Sequence, residues 1–208
     1  MAWKREETIG EKIKKLFVNE QESLGKKAII AQYRLKTAMG RIANYIDKLS
    51  ERDKALFENI VDALLKKDET RAKMYAKEVA EIRKISRQLL TVQYALEHAA
   101  LKLETFIIYG GAINEVVPVL GIMREAVNIV KNIAPDVWID LQVATRELEA
   151  AVGAGIVDLT IEAGAGLDVE AKKVLEEARI IAEQKMREKF AELPKAVQVP
   201  ETEHVKTG

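Results

Sequence analysis

Small and apolar residues recur at alternating steps of four and three along two stretches of about forty residues each, joined by one short polar segment. The first stripe comprises Leu24, Ala28, Ala31, Leu35, Ala38, Ile42, Tyr45, Leu49, Leu56, Ile60 and Ala63, and the second comprises Ala72, Tyr75, Val79, Ile82, Leu89, Leu96, Ala100, Leu103 and Ile107. Asp53, Ser86 and Gln93 are the polar positions within these stripes. A repeat that averages about 3.5 residues keeps one stripe turned toward a partner helix along its whole length. The sequence therefore predicts an all-α fold with a long antiparallel, coiled-coil-like hairpin and shorter helices after it.

The composition also favours long helices over an enzyme-like globular core. Of the 208 residues, 48% are hydrophobic and 32% are charged, but only 5% are aromatic. At 1.5 Å per residue, an arm of about forty residues is a rod of roughly 60 Å, which is too thin to enclose a catalytic pocket. The pattern favours a protein that assembles with other molecules over an enzyme.

The pattern also predicts the segments of the chain. In chain order these are an amphipathic N-terminal helix over 1–20, a helical core over 21–152 with the hairpin at 23–110 and shorter helices at 112–152, a flexible linker over 153–168, and a C-terminal helix and tail over 169–208. Gly110 and Gly111 end the second arm and predict a hinge, because glycine suits a helix C-cap and leaves the backbone free to rotate. Lys66 to Thr70 is the predicted turn between the arms.

The N-terminal segment combines an apolar helical face with basic residues and an aromatic anchor. The candidate membrane-binding residues are Trp3, Lys4, Arg5, Ile9, Lys12, Ile13, Leu16 and Phe17, together with Lys26 and Lys27 at the start of the first arm. Such a helix suits the interface of an anionic membrane. It equally suits packing against the rest of its own protein, and the sequence leaves both interpretations open.

The formal net charge of zero conceals a division between two halves. Residues 1–110 carry a net charge of +6, whereas residues 111–208 carry −6. The halves therefore attract each other, which predicts either a tail that folds back on the hairpin or basic faces that bind an anionic surface. Two solvated helix faces with an unrelated drift in charge are the alternative.

Residues typical of catalysis or metal binding are sparse. The chain has no cysteine and only two histidines, His98 and His204, whose separation makes no metal site. No phosphate-loop pattern occurs, and the basic residues are not interleaved with aromatic ones as in many nucleic-acid-binding surfaces. We predict no enzyme, no metal, no cofactor and no nucleic-acid partner.

Taken together, a basic hairpin that ends in Gly-Gly, two shorter helices, an acidic linker, a last helix and a proline-bearing tail resemble the ESCRT-III family, in particular archaeal cell-division proteins of the CdvB type. The resemblance covers about Ser23 to Pro200 and is strongest over Ala28 to Ile108. Without a winged-helix extension, the chain looks like a shorter paralogue.

The resemblance implies partners and a location. Family members polymerise on membranes with themselves and with paralogues, constrict or sever membrane necks, and are disassembled by an AAA+ ATPase with a MIT domain. The tail residues that look like the ATPase-binding strip are Leu193, Pro194, Val197, Val199 and Pro200. The implied location is cytoplasmic and peripheral, on the inner face of the cell membrane at the division site.

Two alternatives stand beside this interpretation. A phage-shock-type membrane-stress protein of the same superfamily has no need of the strip from Leu193 to Pro200. A soluble coiled-coil scaffold or adaptor would use Trp3, Ile13 and Phe17 to cover its own hairpin. Polar substitutions at those three residues would then destabilise the fold instead of releasing the protein from vesicles.

Overall fold

A computed structural model describes residues 9–111, 113–153 and 164–197, with side chains described over 24–111, 113–153 and 169–197. Within these ranges every regular element is helical. The elements are α1 (Ile9–Leu65), α2 (Glu69–Tyr109), α3 (Ile113–Val130), α4 (Pro135–Gly153), α5 (Gly164–Lys189) and a 3-10 turn at Lys195–Val197. The predicted all-α fold with a long hairpin and shorter helices is confirmed.

The turn between α1 and α2 lies where the sequence predicted it. Lys67 adopts a left-handed conformation with φ of 56°, and the Asp68 amide donates to the Ala63 carbonyl over 2.9 Å, which closes the end of α1. The Asp68 carboxylate then accepts from the Arg71 amide and caps the start of α2. The arms are therefore antiparallel and closely spaced.

α1 begins earlier than the seam alone indicated. The helix is continuous from Ile9 to Leu65, whereas the sequence suggested a separate N-terminal helix and a first arm that starts near residue 23. No proline or glycine occurs between residues 11 and 24, so the backbone has no reason to break there. Residues 9–20 and the first arm thus share one helix.

The seam is buried along most of the hairpin, but four apolar stripe residues are only half-buried, including Leu49 and Ile107. Tyr45 and Tyr75 are only half-buried, while their neighbours Ile46 and Ala76 are fully buried. Tyr45 lies at the edge because its hydroxyl donates to Asp136 of α4 over 2.9 Å. Tyr45 thus packs its ring at the edge of the seam and uses its hydroxyl in the interface with α4, as an amphipathic side chain can.

The later helices pack on one half of the hairpin. We call residues 24–49 and 86–109 the proximal half, and residues 50–85 the distal half. α4 packs against α1 and α3, and α5 packs against α2 and α3. The proximal half shares one large core with α3, α4 and α5, whereas a small separate cluster lies in the distal half. No helix in the described residues is long and apolar enough to cross a membrane.

Candidate functional site: the C-terminal segment docked on the hairpin

The C-terminal helix lies along the hairpin and buries one apolar face. The buried residues of this face are Ala171, Val174, Leu175, Ala178, Ala182, Met186 and Phe190. Their spacing of three and four residues places them on one stripe of α5 and its immediate continuation. Burial of this stripe supplies most of the docking energy, because apolar area removed from water is the dominant favourable contribution.

Ion pairs accompany this docking. Arg87 Nε lies 2.7 Å from the Glu183 carboxylate, and Lys102 pairs with Glu170, so two bases of α2 contact two acids of α5. Lys189 of α5 contacts Asp47 of α1 over 3.1 Å in the opposite sense. All these side chains are partly exposed, so each pair contributes about 1 kcal/mol or less and acts mainly on orientation. The attraction predicted between the two halves of the chain is present in these contacts.

A buried ion pair marks the boundary between the distal and proximal halves. The Asp53 side chain is 3% exposed and accepts two hydrogen bonds from Arg83, over 2.8 and 3.0 Å. The Phe190 ring covers the Arg83 guanidinium, whose central carbon lies 5.7 Å from the ring centroid. The polar seam position at Asp53 is thus satisfied by an arginine just outside the second stripe. The end of the docked segment closes over this pair.

Beyond Phe190 the chain continues onto the distal half. Val197 is buried in the distal cluster, and Leu193 packs against it. The 3-10 turn that presents Val197 is closed by its amide, which donates to the Pro194 carbonyl over 3.0 Å. Three residues of the predicted ATPase-binding strip therefore lie in a segment docked on the hairpin, while Val199 and Pro200 lie outside the described residues. ATPase binding by this strip stays a prediction.

A second polar interface joins the basic first arm to α4. Arg41 contacts Asp140 over 2.6 Å and Asp136 over 3.8 Å, and Lys27 lies 4.0 Å from Glu147. The hydrogen bond to Asp136, aided by desolvation, raises the pKa of Tyr45. Burial alone would raise the pKa of Asp136, but the bonds from Tyr45 and from backbone amides outweigh it and lower that pKa. The acidic face of α4 is thus held against α1.

The predicted membrane-binding residues fall into two groups. Trp3, Lys4 and Arg5 lie outside the described residues, and Ile9, Lys12, Ile13, Leu16 and Phe17 belong to α1 at positions whose side chains lie outside the described set. Of the two described residues, Lys26 is exposed and Lys27 faces Glu147. Membrane binding by this group stays a prediction.

An apolar patch on the hairpin was missed by the sequence analysis. Ile29 and Tyr33 of α1 are 52% and 72% exposed, and Leu101 and Ile108 of α2 are also exposed. Glu104 joins the helices between them, since its carboxylate accepts from Gln32 over 3.1 Å. Neighbours at three and four positions share a helix face, so these residues form one surface. Large apolar residues off the seam were the signal that could have revealed it.

The predicted hinge has the geometry of a helix cap. Gly110 has φ of 66°, and its amide and that of Gly111 both donate to the Phe106 carbonyl, over 2.9 and 3.4 Å. A side chain at position 110 would be strained in this left-handed conformation. The structure confirms the C-cap, and movement about it stays a prediction. In the part of the chain with described side chains, no three acidic, histidine or cysteine residues are grouped to hold a metal.

Two curated proteins of Sulfolobus acidocaldarius are similar to the chain. Cell division protein B1 is 40% identical over 185 residues, which cover 85% of this chain and 83% of that protein. Cell division protein B is 35% identical over 162 residues, which cover 77% of this chain and 62% of that protein. No family model matches the chain. No solved structure matches it significantly.

Proposed function

Because the chain belongs to the CdvB-type ESCRT-III cell-division proteins of archaea, we propose that it is a filament subunit that assembles on the inner face of the cell membrane and constricts it. The names of its relatives support a role in archaeal cell division. The proposal adds that it polymerises with itself and with paralogues, and that an AAA+ ATPase with a MIT domain disassembles it. In this proposal the filament subunit itself catalyses no reaction.

The observation that carries this proposal is the C-terminal segment docked on the hairpin. Phe190 covers Arg83, and Leu193 and Val197 pack on the distal cluster, so this segment occupies hairpin surface that an assembled neighbour would otherwise reach. We interpret the structure as a closed, unassembled form. Release of the segment frees the hairpin for assembly and, at the same time, frees the strip that the ATPase binds.

Membrane contact is assigned to the N-terminal part of α1. The helix runs without interruption from Ile9 into the first arm, so a membrane anchor at Phe17 would be rigidly joined to the hairpin. Exposed Lys26 lies one turn before the exposed Ile30, which places a basic and an apolar group together on the same arm. This combination suits the interface of an anionic bilayer.

The test is sedimentation with anionic vesicles, followed by electron microscopy of the pellets. The double variant Val197→Ser/Phe190→Ser removes two docked side chains and should increase filament formation severalfold. The matched control is Ile180→Ser, which removes an apolar side chain that is 69% exposed on α5, the helix that leads into the docked segment. Truncation after residue 168 should promote assembly further, and deletion of residues 1–17 should reduce pelleting with vesicles.

Contrary results would identify a different class of protein. If every variant stays a monomer or dimer and none pellets with vesicles, the soluble scaffold or adaptor is favoured and the filament proposal fails. If filaments form but loss of Leu193 to Pro200 leaves ATPase binding unchanged, the tail assignment fails while the filament proposal stands. The phage-shock-type alternative would then gain support.

A further inference from the structure

The cleft between α3 and α4 is donor-rich, although it lies in the acidic half of the chain. It has a volume of about 170 Å³ and is lined by Arg124, Val127 and Asn128 of α3 and by Gln142, Thr145, Arg146 and Glu149 of α4. Arg124, Lys131 and Arg146 are the only basic residues between positions 111 and 163. Two of these three line the cleft, and Lys131 follows Asn128 by three residues.

The acidic residues of α4 are largely committed elsewhere. Asp136 and Asp140 contact Arg41 of α1, and Glu147 lies near Lys27, so these carboxylates face the hairpin and not the cleft. Their spacing places all three on one face of α4, and Gln142 and Arg146 lie on a different face of the helix. Packing against α1 therefore explains the acidic face of α4. It does not explain the donor-rich face that lines the cleft.

The polar groups inside the cleft are unevenly satisfied. Arg124 Nε lies 2.6 Å from the Glu149 carboxylate. The Thr145 hydroxyl donates to the Leu141 carbonyl over 2.7 Å. Arg146, by contrast, has no ion pair among the described side chains. Glu125 of α3 is exposed and does not line the cleft. The cleft thus offers an unused guanidinium, two amides and a second guanidinium held by one carboxylate.

We propose that this cleft binds a phosphate group. A guanidinium matches two phosphate oxygens at once, and the amide nitrogens of Asn128 and Gln142 can donate to the others. Arg146 is the main ligand, and Arg124 joins when it is shared between Glu149 and the phosphate. The group can come from a soluble phosphorylated molecule or from a lipid headgroup. The site does not depend on filament formation.

The first experiment titrates inorganic phosphate into the full-length protein at constant ionic strength, followed by nuclear magnetic resonance. Saturable shifts are expected at the side chains of Arg146, Asn128 and Gln142. Arg146→Gln should weaken binding by about fivefold or more, as expected for loss of a charge-assisted bond. Lys172→Gln is the matched control, because it removes an exposed base of α5 that has no ion pair among the described side chains.

A second pair of variants tests the role of Glu149. Glu149→Gln releases Arg124 and removes a repulsive carboxylate, so phosphate should bind severalfold more tightly. Glu177→Gln changes the net charge equally but lies on α5, where Glu177 is 3.9 Å from Lys173, and should have little effect. The site is overturned if each variant and its control change phosphate affinity equally, or if the shifts never saturate. Either result would mean that phosphate interacts only with the diffuse charge of the protein surface.

Vesicles distinguish the two sources of the phosphate group. Phosphatidic acid vesicles are compared with phosphatidylserine vesicles of equal surface charge, using the full chain and Arg146→Gln. Weaker binding of the variant to phosphatidic acid alone assigns the site to a lipid headgroup. Unchanged vesicle binding, with a weakened phosphate titration, assigns it to a soluble ligand. If the full chain without substitutions binds phosphate saturably but forms no filaments on vesicles, the filament proposal fails and this site stands.

Discussion

The proximal and distal halves of the hairpin share one seam, but they differ in how many faces of each helix are buried. In the distal half, burial is confined to the seam, and the 3-10 turn adds Val197. In the proximal half, α2 is also buried away from the seam, for example at Val92, Ala95 and Ala99, where α3 and α5 pack. A regular seam is therefore enough to pair α1 with α2. A second buried face on α2 is needed to build the larger core with α3 and α5.

Cavity-forming substitutions in the two halves test this comparison most strongly. Leu96→Ala in the proximal half should cost about 4 kcal/mol, because a residue surrounded on several sides leaves a cavity that cannot collapse. Ile60→Ala in the distal half should cost only about 2 kcal/mol, since a two-helix arm can close around the lost atoms. Both side chains are fully buried. Urea unfolding monitored by circular dichroism gives both values.

Native-state hydrogen exchange gives an independent check on the same pair. Amides of the distal half should exchange through a partial opening that leaves the proximal core intact. Ile60→Ala should speed exchange in the distal half alone, and Leu96→Ala should affect both halves. Equal protection throughout α2 would mean that the hairpin unfolds as one unit and that the division into halves is wrong.

The next test acts at the boundary between the halves. Arg83→Ala leaves the Asp53 carboxylate buried without a partner, which should cost about 3 kcal/mol. Arg52→Ala breaks an exposed contact of 2.7 Å with Glu78 and should cost less than about 1 kcal/mol. Thermal unfolding compares the two. Similar losses would show that Asp53 is hydrated or protonated when Arg83 is absent.

Much of this architecture follows from the stripes, because a 3.5-residue repeat specifies both a helix and its buried face. The same repeat could not reveal the full length of α1, since residues 18–23 carry neither a seam nor a helix breaker. It also gave no sign that Arg83 would satisfy Asp53, because Arg83 lies just outside the stripe. Packing across the hairpin decides that contact, and one-dimensional spacing does not encode it.

The candidate site was predictable in outline and not in detail. The opposite charges of the two halves predicted a tail that folds back, and pairs such as Arg87 with Glu183 show that contact. The position of Val197 on the distal cluster depends on the length of α5 and on the turn at Pro194. Neither the cleft between α3 and α4 nor the patch around Tyr33 has a sequence motif. Each is formed by residues outside the periodic core positions, which only the packing of the helices brings together.

A smaller and opposite effect is expected at Ser86, which begins the proximal half of α2. Its side chain is fully buried, and its hydroxyl has no hydrogen-bond partner among the described residues. Ser86→Ala removes an unsatisfied polar group and should stabilise the protein by about 1 kcal/mol. Thr91→Ala is the contrast, because the Thr91 hydroxyl donates to the Arg87 carbonyl. A loss of stability at Ser86 would indicate a bound water.

The smallest effect concerns the turn at the distal end. Lys67 has φ of 56°, a conformation that glycine adopts without steric cost, whereas the proximal end of α2 already has glycine at the equivalent position, Gly110. Lys67→Gly should therefore stabilise the protein by about 0.5 kcal/mol, the gain being reduced by the greater freedom of glycine in the unfolded chain. Lys66→Gly removes the same charge one residue earlier, where φ is not positive, and should be destabilising. If both variants lose stability, the left-handed conformation of Lys67 is not a source of strain, and the C-terminal caps of α1 and α2 differ in sequence without differing in energy.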